Sequence, residues 1–174
     1  MAYIDYEKQI WKNSGETGAI PINATNLNHI ENGLDRLSKT IGRISVAKCD
    51  SQTITLESST ITQIPLSGFN INAYSMFSIS DGGIYCPVTG YTLVCGNVYF
   101  NASGGTTQAV YVYKNGAEVI SQTTNARAYA ALSSGMTIIP VQDGDIISMH
   151  ARCNGGAGSV DGTNIATQLI AVYV

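Results

Sequence analysis

The chain has 174 residues, 18.4 kDa, a formal charge of −3 and only 12% charged residues against 44% hydrophobic ones. Six of the nine basic residues precede residue 50, so the rest of the chain, with only Lys114, Arg127 and Arg152, offers no basic stripe to a nucleic-acid backbone. Two histidines and four scattered cysteines with no CxxC pair exclude a histidine-rich centre or a zinc ribbon, and no metal or cofactor is expected.

A solvated monomer typically carries about a quarter or more charged residues on its surface. The low charge here implies that other copies of the chain cover much of that surface. The opening stretch, Met1 to Lys8, has neither the basic nor the apolar region of a signal peptide, and no run approaches the ~20 apolar residues of a membrane helix. Synthesis in a cytoplasm without export is therefore expected. Cys49, Cys86, Cys95 and Cys153 are then expected as reduced, partly buried thiols rather than as any of the three possible disulfide pairings.

Residues 1–20 hold Tyr3, Ile4, Tyr6, Ile10 and the single tryptophan, Trp11, before the turn at Asn13-Ser14-Gly15. Trp11 either staples the stem or docks as a buried anchor into a larger assembly. Over 21–48 the pattern is helical. Leu27, Ile30, Leu34, Leu37, Ile41 and Ile44 are spaced 3, 4, 3, 4 and 3, an a/d heptad seam. Asn23 after Pro21-Ile22 can cap its first amides. At about 1.5 Å per residue a helix over 24–47 is roughly 36 Å long. Gly33 and Gly42 each cost it about 1 kcal/mol relative to Ala, so it needs partners. Mixed Leu and Ile at both seam positions allow three strands, and the alternative is an amphipathic helix lying on the chain's own sheet.

From residue 50 to 174 the composition turns to Gly, Ser, Thr, Asn and β-branched residues. Candidate strands lie at 53–56, 60–64, 74–79, 83–88, 91–100, 108–114, 117–122, 127–132, 136–141, 145–152 and 165–174. About ten short strands suit a sandwich or jelly roll. Asn115-Gly116 is a hairpin signal, because both central residues of that turn need positive φ. Along 91–100, Tyr91, Leu93, Cys95 and Tyr99 share one parity and Val94, Val98 and Phe100 the other. The last strand repeats this, with Leu169, Ala171 and Tyr173 opposed to Ile170, Val172 and Val174. A strand wetted on one face alternates apolar with polar. Here one face fills a sandwich and the other needs a neighbouring subunit.

Three stretches within 60–174 resemble, in order, motifs of the complement globular head of the tumour-necrosis-factor-like jelly-roll superfamily. Ile84-Tyr85-Cys86-Pro87-Val88-Thr89-Gly90-Tyr91 is similar to its CPVPGxY-like motif. Val112-Tyr113-Lys114-Asn115-Gly116 resembles its strand–KNG hairpin, and Gly144-Asp145-Ile146 its GD turn. The resemblance implies a jelly roll that is typically a homotrimer. The chain has no collagen-like stalk, so the biology of the complement proteins does not carry over. Ile20-Pro21-Ile22-Asn23-Ala24-Thr25-Asn26-Leu27-Asn28-His29-Ile30-Glu31-Asn32-Gly33-Leu34 is similar to the TPINAxNLNHIExGI segment of tail-appendage and baseplate proteins of phages and prophages of Gram-positive bacteria. It departs at Ile20 and at Thr25, where an acidic residue is common, and neither change breaks a helix start. This second resemblance implies a virion tail protein attached through its N-terminal region to other tail or baseplate proteins.

No nucleophile elbow, HExxH or Walker loop is present, so no enzyme activity is expected. Asn154-Gly155-Gly156-Ala157-Gly158 reads as a flexible loop, Asp143 and Asp145 as a solvated turn rather than a calcium site, and His150 as a structural histidine. The sequons at Asn23 and Asn101 mean little without export. Binding offers more. With Val110 and Val112 inward, Tyr111 and Tyr113 point outward, to stack on a sugar or to pack on a neighbouring subunit. Long polar loops at 101–107 and 152–164 place Arg152, Asn154, Asp161 and Asn164 as hydrogen-bonding candidates for a cell-wall saccharide.

The expected protein is thus a mainly β homotrimer, with a 1–20 attachment segment, a 21–48 coiled-coil stem and a 50–174 TNF-like head. It would be a receptor-binding protein of a phage tail, adsorbing by multivalent carbohydrate binding without insertion into the membrane. The low charge favours a neutral, polyhydroxyl ligand. Alternatives are a structural tail component without a ligand, a bacterial surface protein with a complement-like head, or a wall-glycan depolymerase, against which the missing carboxylate constellation argues.

Overall fold

The computed structural model describes residues 28, 30, 44–51, 53–72 and 77–174. Among the described residues thirteen strands follow one another: β1 (Ile44–Lys48), β2 (Ile54–Leu56), β3 (Thr62–Ile64), β4 (Gly68–Asn72), β5 (Ser78–Ser80), β6 (Gly83–Tyr85), β7 (Gly90–Ser103), β8 (Thr107–Lys114), β9 (Ala117–Asn125), β10 (Ala130–Val141), β11 (Ile146–Asn154), β12 (Gly158–Val160) and β13 (Gln168–Tyr173). They form two antiparallel sheets. The first runs β2-β12-β7-β13-β1-β4, with β10 also paired to β7. The second runs β5-β6-β11-β8-β9, with β3 also paired to β11. Between them lie Phe100, Leu56, Ile64, Ile84, Ile147, Met149 and Leu169, all fully buried. The mainly β sandwich expected from the alternating runs is what forms.

The stem differs from expectation at its end. Asn28 and Ile30 are helical, while 1–20 and the rest of 21–43, with the seam residues Leu27, Leu34, Leu37 and Ile41, lie outside the described residues. Ile44, the last seam position, is not helical: 44–48 is a strand, paired to β13 on one side and β4 on the other. Its alternation decides this. Ser45 and Ala47 point into the sandwich and are fully buried, while Ile44 and Val46 face away from it. Two ladders of backbone hydrogen bonds outweigh the +3 step from Ile41 that carried the heptad pattern to Ile44.

Other boundaries also shift. The candidate strands 127–132 and 136–141 are one strand, β10, broken by a bulge between Ser133 and Met136. Gly135 takes φ +80°, and the Gly96 amide donates to Ser134 Oγ at 2.9 Å where the ladder is interrupted. The expected loop 101–107 shrinks to 104–106, and 152–164 holds the end of β11 and all of β12. The run Asn154–Gly158 is packed rather than loose. Its chain crosses Gly104-Gly105 backbone to backbone, with the Gly104 amide on Ala157 O at 2.9 Å, and a Cβ at Gly105 or Gly156 would collide with main-chain atoms of the other segment.

The three head-like motifs meet at one corner. Asn115 (φ 50°) and Gly116 (φ 80°) make the β8–β9 turn. The Asn115 carboxamide donates to Asp145 Oδ1 at 2.7 Å and accepts from the Ile146 amide at 2.8 Å. Asp145 Oδ2 accepts from the Gln142 amide at 2.8 Å and lies 3.4 Å from Lys114 Nζ. The Cys86 amide donates to Asp145 O, and the Gly144 amide to Cys86 O. Burial works to raise the Asp145 pKa, but the Gln142 amide, Asn115 and Lys114 outweigh it and hold the carboxyl below its ordinary value. Asp143, two residues earlier in the turn, accepts from the Tyr85 hydroxyl at 3.1 Å.

All four cysteines are buried and none is in a disulfide, and burial pushes the Cys86 thiol up to about 11. In the native protein no thiol should react with an aromatic disulfide reagent within minutes at pH 8, and four should react once guanidinium unfolds it; rapid labelling of the native chain would contradict this packing. Asp145→Ala should cost about 2 kcal/mol at pH 7 in urea unfolding, because it removes the acceptor of the Gln142 amide and the Asn115 carboxamide together with the ion-pair partner of Lys114. Since the native carboxyl pKa is depressed, its contribution is complete above the unfolded value of about 3.9 and is lost as pH falls through the lower native value. The gap between wild type and variant should therefore close in acid.

Candidate functional site

Two faces of the sandwich carry the unusual chemistry. The outer face of the first sheet follows from the register of its strands. Directly opposed residues on neighbouring strands share a face, so side chains line up in rungs across the sheet. One rung is Ile44–Val172–Leu93–Ile138. The next is Ile71–Val46–Ile170–Cys95–Met136. Neither holds a charged side chain. Ile138 is 56% exposed, Met136 70% and Ile71 50%. The third rung, Lys48–Gln168–Asn97–Ser133, is polar and marks the limit of the apolar band. On β7 the opposite parity, Val94, Val98 and Phe100, is fully buried in the core, as Leu169 and Ala171 are on β13. The two strands are therefore apolar on both faces, as the sequence predicts; the inner face is covered by the second sheet, while the outer band is open at Ile44, Ile71, Met136 and Ile138 around the buried Val46 and Cys95.

Beside this band a groove of about 540 Å³ opens between the β1–β4 edge and the turn 161–167, lined among others by Val46, Lys48, Ile71, Asn164, Ile165 and Gln168. Ile165 stands 82% exposed on its rim. Asp161 shapes that turn, since its Oδ1 accepts from the Thr163 amide, the Thr163 hydroxyl and the Asn164 amide at 3.0, 2.7 and 3.2 Å. Asn164 Oδ1 in turn accepts from the Ala166 amide at 2.9 Å. These two candidates brace a turn on the first sheet, away from the tyrosines.

The outer face of the second sheet gathers the others. Val110 and Val112 point inward and are fully buried, which places Tyr111 and Tyr113 on the far side. Strand register sets Tyr113 opposite Ser148, Tyr111 opposite His150 and Ala109 opposite Arg152. The Tyr113 and His150 rings are 4.4 Å apart, and Tyr111 and Tyr113 are 6.2 Å apart. The Arg152 guanidinium lies 5.5 Å from the Tyr111 ring centroid. Tyr111 is thereby covered, only 5% exposed, and Tyr113 is the half-buried ring of the pair. Ser148 Oγ and His150 Nε2 are 2.9 Å apart. Burial lowers the His150 pKa and raises that of Tyr111, so the imidazole is neutral at pH 7 and the cluster's fixed charge is Arg152. Asn154 sits at the end of the same strand, where its Nδ2 donates to Thr107 Oγ1 at 3.0 Å and ties the crossing of the two loops.

Of the six candidate binding residues the structure thus joins Tyr111, Tyr113 and Arg152, puts Asn154 at their margin, and sends Asp161 and Asn164 to the other sheet. His150 and Ser148 belong to the joined group. Their signal in the sequence is the period of two that places 148, 150 and 152 on one side of a strand. Among the described residues no group of three or more His, Cys, Asp or Glu is arranged to hold a metal ion.

No protein-family model matches the chain, and no curated protein matches it. Among solved structures it resembles murine APRIL, at 15% identity and a TM-score of 0.62, over 76% of this chain and 99% of that one. It also resembles the Eiger TNF of S. frugiperda, at 9% identity and a TM-score of 0.60, over 76% of this chain and 92% of that one. Identities this low report shape alone, and the shape is that of a TNF-like jelly roll.

Proposed function

We propose that the chain is a homotrimeric tail-appendage protein of a phage or prophage of a Gram-positive host, adsorbing to a saccharide of the cell surface. The observation that carries this reading is the pair of charge-free rungs on the outer face of the first sheet. A band of that kind on a lone soluble domain is a site for another protein surface. A second copy of the same chain is the occupant that fits, because three features support self-association, the first and last of them in threefold form. These are the TNF-like shape, the low overall charge, and a heptad seam over 27–41 that admits three strands. The tail-protein part rests on the Ile20–Leu34 segment. Residues 1–20 attach the protein, the segment from 21 forms the stem up to the start of β1, and the sandwich is the head.

In such a trimer the first sheet faces the partners and the Tyr113–His150–Arg152 face looks outward, three times per head. Several weak contacts on one head, and several heads on one tail, multiply into firm adhesion without any turnover. The purified chain should bind intact host cells and compete with the phage for adsorption. Ile138→Asp, which puts a charge into the apolar band at a half-exposed position, should preserve the far-UV spectrum of the sandwich yet weaken cell binding at least tenfold through loss of avidity. A chain that binds no cell at all would instead favour a structural tail component.

A further inference from the structure

We propose that the Tyr113–His150–Arg152 face receives the anionic group of an acidic saccharide, a carboxylate or a phosphodiester carried on a sugar or polyol chain. This rests on the adsorption reading and specifies its ligand. The head holds four described basic residues, Lys48, Lys114, Arg127 and Arg152. Lys48 pairs with Asp50 at 2.9 Å and Lys114 with Asp145 at 3.4 Å, while Arg127 is exposed to water. Arg152 forms no ion pair and no hydrogen bond among the described residues, and its Nε–H is buried without an acceptor. An unsatisfied buried donor on a charged group is costly. The guanidinium lies over the Tyr111 ring, 5.5 Å from the centroid, a contact that uses none of its hydrogen-bond donors. A rigid fork with free donors is suited to bidentate recognition of a carboxylate or phosphate.

The neighbours complete a sugar-sized surface. Tyr113, half exposed and braced by the His150 ring, offers an aromatic flank to the C–H face of a pyranose or to a polyol backbone. The half-buried His150, oriented by the buried Ser148 hydroxyl 2.9 Å from its Nε2, adds a neutral imidazole edge that meets sugar hydroxyls. Glu118 is the carboxylate in register with this face, opposite Tyr113 on β9, two rungs along the sheet from the level of Arg152 and Ala109. That separation places an anion at the Arg152 end and hydroxyls at the Tyr113 end. The net charge of −3 gives no long-range attraction to such a ligand, so recognition is by contact. The preference for a neutral ligand drawn from overall charge is thus reversed by one unpaired local cation.

The test uses the full chain in calorimetric titrations against three probes: oligomers of glucuronic acid, oligomers of glycerol phosphate, and neutral N-acetylglucosamine oligomers of the same length. At least one acidic series should bind at least tenfold more tightly than the neutral one, and which one binds tells a carboxylate source from a phosphodiester source. Arg152→Gln should reduce that binding at least tenfold. Arg152→Lys, which keeps the charge but not the fork, should lose several-fold and serves if the glutamine variant fails to fold. Amide shifts on titration should centre on Tyr113, His150 and Arg152. Equal binding of acidic and neutral oligomers, or no binding of either by a chain that still adheres to host cells, overturns the acidic-ligand inference and leaves the adsorption reading standing. An intact Arg152→Gln response also overturns it. Failure to bind both the oligomers and host cells overturns the two together.

Discussion

Everything in this molecule depends on strands that are apolar on both sides. β7 and β13 each present one row of side chains to the sandwich core and another, equally greasy, to the outside. The inner row is satisfied by the second sheet. The outer row lies in two rungs that run from β4 or β1 across to β10 with no charge among them. At about 25 cal/mol per Å² of apolar area, leaving such a band in water forgoes several kcal/mol that a covering surface would recover. The rung of Lys48, Gln168, Asn97 and Ser133 ends the band abruptly. A bounded apolar patch of this kind is an interaction surface, distinct from the isolated exposed apolar residues that any protein tolerates.

The division of labour between the sheets follows. The first sheet has the apolar exterior and a bulged edge strand. The second has a polar exterior in which an arginine, a histidine and two tyrosines stack on one another. The corner where Asn115, Asp145 and Cys86 meet locks the β8–β9 hairpin to the start of β11, and that cluster stands on the two central strands β8 and β11. The strands that carry the cluster are thus tied at their other end by a charge-assisted hydrogen-bond network. The glycine crossing at Gly104-Gly105 and Gly155-Gly156 does the same at the near end, where only residues without a Cβ let two backbones come so close.

Much of this is legible in the sequence, and the failures have physical causes. The parity of 91–100 and of 165–174 separates the core residues from the outer ones correctly, because a period of two is unambiguous in a long strand. Ile44 reads as part of the helical seam because it satisfies both the heptad step from Ile41 and the alternation with Val46; only the pairing to β13 and β4 decides between them. β4 carries a clean alternation, Phe69 and Ile71 with Asn70 between, yet the bulge between Val46 and Ala47 sets Phe69 opposite the inward Ala47 and Ile71 opposite the outward Val46, so the period of two does not give the faces of this strand. β12, Gly158 to Val160, has almost no side-chain signal and exists because β2 and β7 flank it. In the candidate site, the outward tyrosines can be read from the chain. That Arg152 covers Tyr111 cannot, since it depends on the register between strands far apart in sequence.

The central claim is that three copies of this chain hide one another's exposed sheet. Sedimentation equilibrium of the purified chain at micromolar concentration measures this without reference to any ligand or host. The account requires a species of three times the 18.4 kDa chain mass. A single sharp species at the mass of one chain would contradict it and leave the apolar rungs without an occupant.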